Sequence, residues 1–199
     1  MSLQSAIRSA LMEAQTGLQD LLEDAETLGQ LEKAGVLLAD SFERGGRVFS
    51  CGNGGSMCDA MHFAEELSGR FRDDRAALAA TSISDPSHMS CVSNDYGYEF
   101  VFSRYIEAHG RAGDVLLAIS TSGKSKNIIN AIEAAKKKGV MVIGMTGKKK
   151  CPMSDMCDIL LASPAGRYAD RVQELHIKMI HIMIELVERQ MFPANYSST

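Results

Sequence analysis

The first forty-four residues place apolar side chains at helical spacing: Leu3, Ile7, Leu11, Ala14, Leu18, Leu21 and Leu22, then Leu28, Leu31, Leu37 and Leu38. That rhythm predicts two helices with a break near Thr27–Gly29. Beyond residue 44 the pattern changes. Short runs of aliphatic and β-branched residues, Val48–Cys51, Ala79–Ile83, Val115–Ile119, Val140–Met145 and Ile159–Ala162, alternate with helical patterns over about 57–70, 98–110, 126–138 and 168–192. Gly45-Gly46 and Gly139 stand where helix C-terminal caps belong. Strands alternating with helices predict an α/β fold: a three-layer, doubly wound, flavodoxin-like domain whose five-stranded parallel sheet is flanked by helices. The chain reads as a single domain over 1–199, without linker, repeat or low-complexity segment, and 1–44 reads as its N-terminal helical arm. The arm is more apolar than a free appendage needs, which points to burial against another subunit.

In such sheets ligands bind beyond the carboxyl ends of the strands, and two strand-to-helix turns are unusual there. The run Val115–Ile119 leads into Ser120-Thr121-Ser122-Gly123-Lys124-Ser125, with a helical pattern starting near Lys126. Four hydroxyls and a glycine at a positive helix end suit a phosphate. A nucleotide-binding P-loop needs glycine five positions before Gly123, where Ala118 stands, so the turn reads as a phosphomonoester pocket or as a hydroxyl-rich helix cap. The first strand runs into Cys51-Gly52-Asn53-Gly54-Gly55-Ser56. A dinucleotide fingerprint requires glycine where Met57 stands. What is left is close backbone approach to a ligand with Ser56 capping the next helix, or a tight turn alone.

The helix after that turn carries His62 and Glu66, four apart and on one face. Such a pair binds a divalent metal, does acid–base work, or is an ordinary surface pair. The last helix carries Asp170, Gln173, His176 and His181 within an amphipathic pattern. His181, between Ile180 and Ile182, fits either a satisfied core histidine or one with a tuned proton affinity. Asn94-Asp95, read as loop, offers partners for sugar hydroxyls or a plain turn.

Composition narrows the partners. A formal charge of −4 argues against nucleic acid or an anionic membrane surface, and the runs Lys136–Lys138 and Lys148–Lys150 read as solvated faces. No apolar run reaches the length of a membrane span, and the early residues are too polar for a signal peptide. Five cysteines without C-x-x-C spacing are most simply reduced thiols of a cytoplasmic protein.

Taken together, the runs 50–56, Asp59–Leu67, Ile119–Gly123 and Tyr168–His176 make nearly the whole chain resemble the phosphoheptose isomerases of the sugar isomerase (SIS) domain superfamily. The resemblance implies conversion of D-sedoheptulose 7-phosphate to D-glycero-D-manno-heptose 7-phosphate through an enediol, the first step of ADP-heptose synthesis for the lipopolysaccharide core. By position it implies Glu66 as the base between C1 and C2 and His181 as the acid on the substrate oxygens. Ser56, Ser120, Thr121, Ser122 and Ser125 match the phosphate cradle. Asn53, Gly54, Gly55, Glu66, Asn94, Asp95 and Gln173 match substrate contacts. The resemblance further implies one zinc per subunit, on His62, Glu66, Gln173 and His181, with no nucleotide cofactor, and a homotetramer with pockets at subunit boundaries. Met57, where relatives often carry histidine, and the stretch 163–167 depart from the pattern, and Arg167 stands at the expected pocket rim.

The chemistry is consistent on its own terms. Abstracting a proton beside a carbonyl needs a positioned carboxylate or histidine and positive charge near the developing oxyanion, which a divalent metal supplies. A glutamate bound to that metal is not a free base at the same instant, so the two roles of Glu66 compete or alternate. Gln173 and His181 lie eight residues apart, about 12 Å along a straight helix. Bonds of ~2.1 Å to one ion therefore call for Gln173 at the start or a break of its helix, or for a site built from more than one chain. Two rival functions are a non-catalytic SIS module that binds a sugar phosphate or a partner protein, and a nucleotide-dependent enzyme. The presence of both Glu66 and His181 favours the isomerase over the first, and the two failed glycine motifs disfavour the second.

Overall fold

The computed structural model describes residues 2–164 and 166–197. Five strands, β1 (Val48–Cys51), β2 (Ala80–Ser82), β3 (Val115–Ile119), β4 (Met141–Thr146) and β5 (Ile159–Ala162), form one parallel sheet in the order β2-β1-β3-β4-β5. This is the flavodoxin-like order, whose direction of winding reverses between β1 and β3. Three strands match the predicted runs residue for residue, and β2 and β4 differ from them only at their ends.

Strand alternation divides the core in two. Val115, Leu117 and Ile119 of β3 pack with Ile143 and Met145 of β4 under α2 (Ala25–Glu43), α3 (Gly55–Ser68) and α7 (Ala169–Met191). Leu116 and Ala118 turn to the other face, with Val142, under α5 (Val101–His109) and α6 (Lys126–Lys137). A sheet buried on both faces explains why β3 is apolar at every position rather than at alternate ones.

The two N-terminal helices part at Asp24, not near Thr27–Gly29. Asp24 follows α1 (Leu3–Glu23), and its carboxylate accepts the Thr27 N–H at 3.2 Å, so the capping residue and not the glycine sets the boundary. Nor do both helices form an arm. Leu31, Ala34, Leu38, Ala39 and Phe42 of α2 are buried in the core, where α2 packs on α7 and β5. Only α1 stands out, with Leu3, Ile7 and Leu11 at 85%, 61% and 68% exposure.

Among the described residues one α-helix was not predicted. α4 (Pro86–Asp95) buries only Val92, too little for a periodic signal, yet Asp85 caps it by accepting the His88 N–H and Pro86 opens it. Asn94 and Asp95 are therefore the end of a helix rather than a loop. Likewise Ser56 lies inside the first turn of α3, whose N-cap is Gly54, and does not cap it. No helix among the described residues is long and apolar enough to cross a membrane.

Candidate active site

The turns after β1 and β3 lie side by side because those strands pair, Cys51 opposite Ala118, at the winding reversal. Two amides join them. Asn53 Nδ2 donates to Asn127 Oδ1 at 2.9 Å, and Asn127 Nδ2 donates back to Asn53 Oδ1 at 2.8 Å. Tyr98 OH donates to the same Asn53 oxygen, which brings the bend after α4 against the glycine turn. Gly54 bends the chain at φ +56°, a conformation that a side chain disfavours, and delivers it into α3.

The hydroxyl turn precedes α6. Ser125 is its N-cap, but the Ser125 hydroxyl makes no capping bond and lies 3.1 Å from Ser120 Oγ. Ser122 is exposed and receives only the Lys124 N–H at 3.3 Å. These hydroxyls are thus not consumed by the helix end, and with its N–H groups they suit an anion. Thr121 and Ser122 also line a cleft of about 250 Å³ that runs to Arg167, Tyr168 and the start of α7. Arg167 is therefore a rim residue, as its position suggested; its neighbour Ala165, within the divergent stretch, lies outside the described residues.

Farther along α3, His62, with Glu65 and Glu66 around its ring, meets His181 of α7. His62 Nε2 lies 3.0 Å from His181 Nε2 and 3.5 Å from Glu66 Oε1, while Glu65 Oε1 stands 3.2 Å from His62 Nδ1. Phe71 packs on the His181 ring. Burial, then the neighbouring Glu65, raises the affinity of Glu66 for a proton. Burial, then the charges of His62, Lys178 and Arg72, lowers that of His181. The carboxylate is more basic than usual and the imidazole more firmly neutral.

Gln173 is elsewhere. Its amide lies flat on Gly55, where an added Cβ would meet Nε2 at 2.6 Å, so it belongs to the glycine turn and not to the histidine pair. It sits one turn into α7, which then runs unbroken past His181. Of the expected arrangements the break is absent and the place near the helix start is met, and within one protomer Gln173 rests at the glycine turn. Asn94 and Asp95 are exposed and bond locally, Asn94 Nδ2 to Asp95 Oδ1 at 2.7 Å.

A family model described as the SIS domain matches residues 14–147. The phosphoheptose isomerase of Aeromonas hydrophila is 59% identical over 188 residues, 94% of this chain and 98% of the relative. The solved phosphoheptose isomerase from Neisseria gonorrhoeae is 36% identical, with a TM-score of 0.85 over 94% of this chain and 99% of that one. The chain belongs to the phosphoheptose isomerases of the SIS domain family. A second solved phosphoheptose isomerase, from Francisella tularensis, is 29% identical with a TM-score of 0.87 over 95% of this chain and 100% of that one. The chain is thus an isomerase.

For an isomerase of this family the donor set at the α3–α7 contact is informative. Glu65 beside Nδ1 favours the His62 tautomer whose Nε2 is a lone pair aimed at His181. Two imidazole nitrogens on one tetrahedral zinc lie roughly 3.3 Å apart, close to the spacing here. The donor atoms that lie within 4.8 Å of one another are those of His62, Glu65 and Glu66, a set able to hold a divalent metal, with the His181 ring beside His62 and Gln173 of the same protomer at the glycine turn. Asn127, Tyr98 and Glu65 were not singled out from the sequence. Asn127 offered a signal in its place at the second position of α6, directly after the hydroxyl turn.

Proposed function

We propose that the protein interconverts D-sedoheptulose 7-phosphate and D-glycero-D-manno-heptose 7-phosphate, the first step of ADP-heptose synthesis for the lipopolysaccharide core. One observation carries this reading: Glu66 and His181, on separate helices, converge on the His62 ring, two turns of α3 beyond the glycine turn.

The phosphate sits in the turn of Ser120, Thr121, Ser122 and Ser125, with Ser56 beside it, and Asn53, Gly54, Gly55 and Gln173 hold the sugar. Asn94 and Asp95 contact its hydroxyls. Glu66, kept basic by its surroundings, takes the proton from C1 and returns it to C2. His181, which burial and nearby cations hold toward its neutral form, acts as a hydrogen-bonding imidazole, giving a proton to the C2 oxygen and collecting one from the C1 oxygen. Zinc on His62, His181 and Glu66 would supply positive charge at the carbonyl oxygen. Glu66 would then serve as ligand and as base in alternation, and His181 as ligand and as acid likewise. Gln173 of a second copy of the chain would complete the metal's ligands, in a homotetramer in which the apolar stripe of α1 is covered. The cytoplasm, where thiols stay reduced, is the compartment that suits five free cysteines.

The test is an NMR assay of purified protein with sedoheptulose 7-phosphate. The wild type yields the aldose. Glu66→Gln lowers kcat by 10²–10⁴-fold with KM within a few-fold, the span typical of a lost general base. Full turnover in that variant would remove Glu66 from the mechanism.

A further inference from the structure

Arg75 lies in the segment that returns from α3 to β2, and its guanidinium is buried to 1% exposure. All its donating nitrogens are engaged. The second terminal nitrogen donates to the Glu66 carbonyl at 2.6 Å. The first donates to the carbonyls of Leu67 at 2.8 Å, Gly69 at 3.1 Å and Ala76 at 3.3 Å. Nε donates to Glu188 Oε1 at 2.9 Å. Glu188 belongs to α7 and is equally buried, and its other oxygen accepts the Tyr196 hydroxyl at 2.8 Å.

Arg75 thus does two things at once. It satisfies carbonyls that the end of α3 leaves without helical partners, including that of Glu66 itself. It also ties that end to α7 through a buried ion pair. The two helices run in the same direction, since Gln173 meets Gly55 near their starts, His181 meets His62 farther on, and Glu188 reaches the end of α3 through Arg75. His181 and Glu188 are seven residues apart and so share one face of α7. A slide or rotation of either helix at this knot would move Glu66 relative to His181. Stability alone is a weak reason for such a pair, because desolvating two charges offsets most of their attraction.

We propose that Arg75 is a positioning residue for the isomerisation: through the Glu66 carbonyl and Glu188 it fixes the relative placement of the Glu66 and His181 side chains. The proposal rests on the catalytic reading of those two residues given above. Lysine keeps the charge but cannot span four carbonyls and a carboxylate, which need the planar fork. Arg75→Lys is therefore expected to lower kcat for sedoheptulose 7-phosphate at least tenfold, with KM within about threefold, because the phosphate turn is untouched. Thermal melts are run beside the kinetics. An Arg75→Lys protein that is folded at the assay temperature and has unchanged kcat overturns the positioning role, whatever its melting temperature.

Should Arg75→Lys melt below the assay temperature, Tyr196→Phe carries the test. It removes the hydroxyl that Glu188 accepts and that also meets Arg72, and a two- to fivefold fall in kcat at constant KM is expected; no fall overturns the proposal. Glu66→Gln, assayed alongside, separates the two ideas. Loss of turnover there with wild-type kcat in folded Arg75→Lys defeats the proposal and leaves the site standing. Full turnover in Glu66→Gln defeats the site, and the proposal with it.

Discussion

His62 Nε2 and His181 Nε2 face each other at 3.0 Å across the contact between α3 and α7. Two protonated imidazoles would repel there, so the pair either shares one proton or turns both lone pairs toward one cation. The second arrangement predicts a measurable response. Zinc at a hundredfold excess over its dissociation constant should stabilise the chelator-stripped protein by about 2.7 kcal/mol. For a domain of this length that raises Tm by roughly 5–10 °C. His62→Ala should abolish the shift in a thermal scan. No shift in the wild type would take zinc out of the site.

The phosphate turn has a simpler test. The Ser122 hydroxyl is exposed and engaged only by the Lys124 N–H, so Ser122→Ala costs the fold little. Steady-state kinetics should show KM for the sugar phosphate raised about tenfold, as for one hydrogen bond to a charged group, with kcat within twofold. An unchanged KM would exclude this hydroxyl from the cradle.

Gly55 predicts a different signature. A methyl group there would meet the Gln173 amide at 2.6 Å, and that amide is the far end of a flexible side chain. Gly55→Ala should therefore displace Gln173 without unfolding the chain. The expected outcome is a melting temperature within a few degrees of wild type and a fall in kcat/KM of at least tenfold. Wild-type kinetics would show that Gln173 need not rest on the turn.

His176 governs acid stability. It is fully buried, neither ring nitrogen has a hydrogen-bond partner of ordinary geometry among the described residues, and burial pushes its pKa down to about 4, partly offset by the Thr146 backbone. Its native pKa lies below the unfolded value of 6.5, so the unfolded chain binds more protons between pH 6.5 and 4. The stability that neutral His176 allows is complete above pH 6.5 and is lost as the pH falls toward 4, by about 3 kcal/mol. Urea melts at pH 7.5 and 4.5 measure the loss. His176→Leu should flatten most of that difference, and an undiminished pH dependence would assign it to other groups.

The sheet was legible because its strands are buried on both faces and read as unbroken apolar runs, Val115–Ile119 most plainly. The glycine and hydroxyl turns announced themselves through residue types that ordinary helix starts do not need together. Less visible were features whose signal is a single capping residue, such as Asp24 and Asp85, both passed over in favour of apolar periodicity. The pairing of His62 with His181 and of Asn53 with Asn127 depends on how distant elements lie in space, which spacing along one helix cannot disclose. The site implied by resemblance placed Gln173 with the histidines. Within one protomer an unbroken α7 keeps it at the glycine turn.

The layer that carries Glu66 also closes a circle in time. α2 precedes every strand along the chain and α7 follows all five, yet they pack against each other on the same face of the sheet. Until residues 169–191 are made, Leu31, Leu38 and Phe42 lack the apolar face of α7, and this side of the sheet is covered by α2 and α3 alone. Contacts that span so much of the chain close late and slowly. α7, made after every strand, therefore completes both the core and the histidine pair.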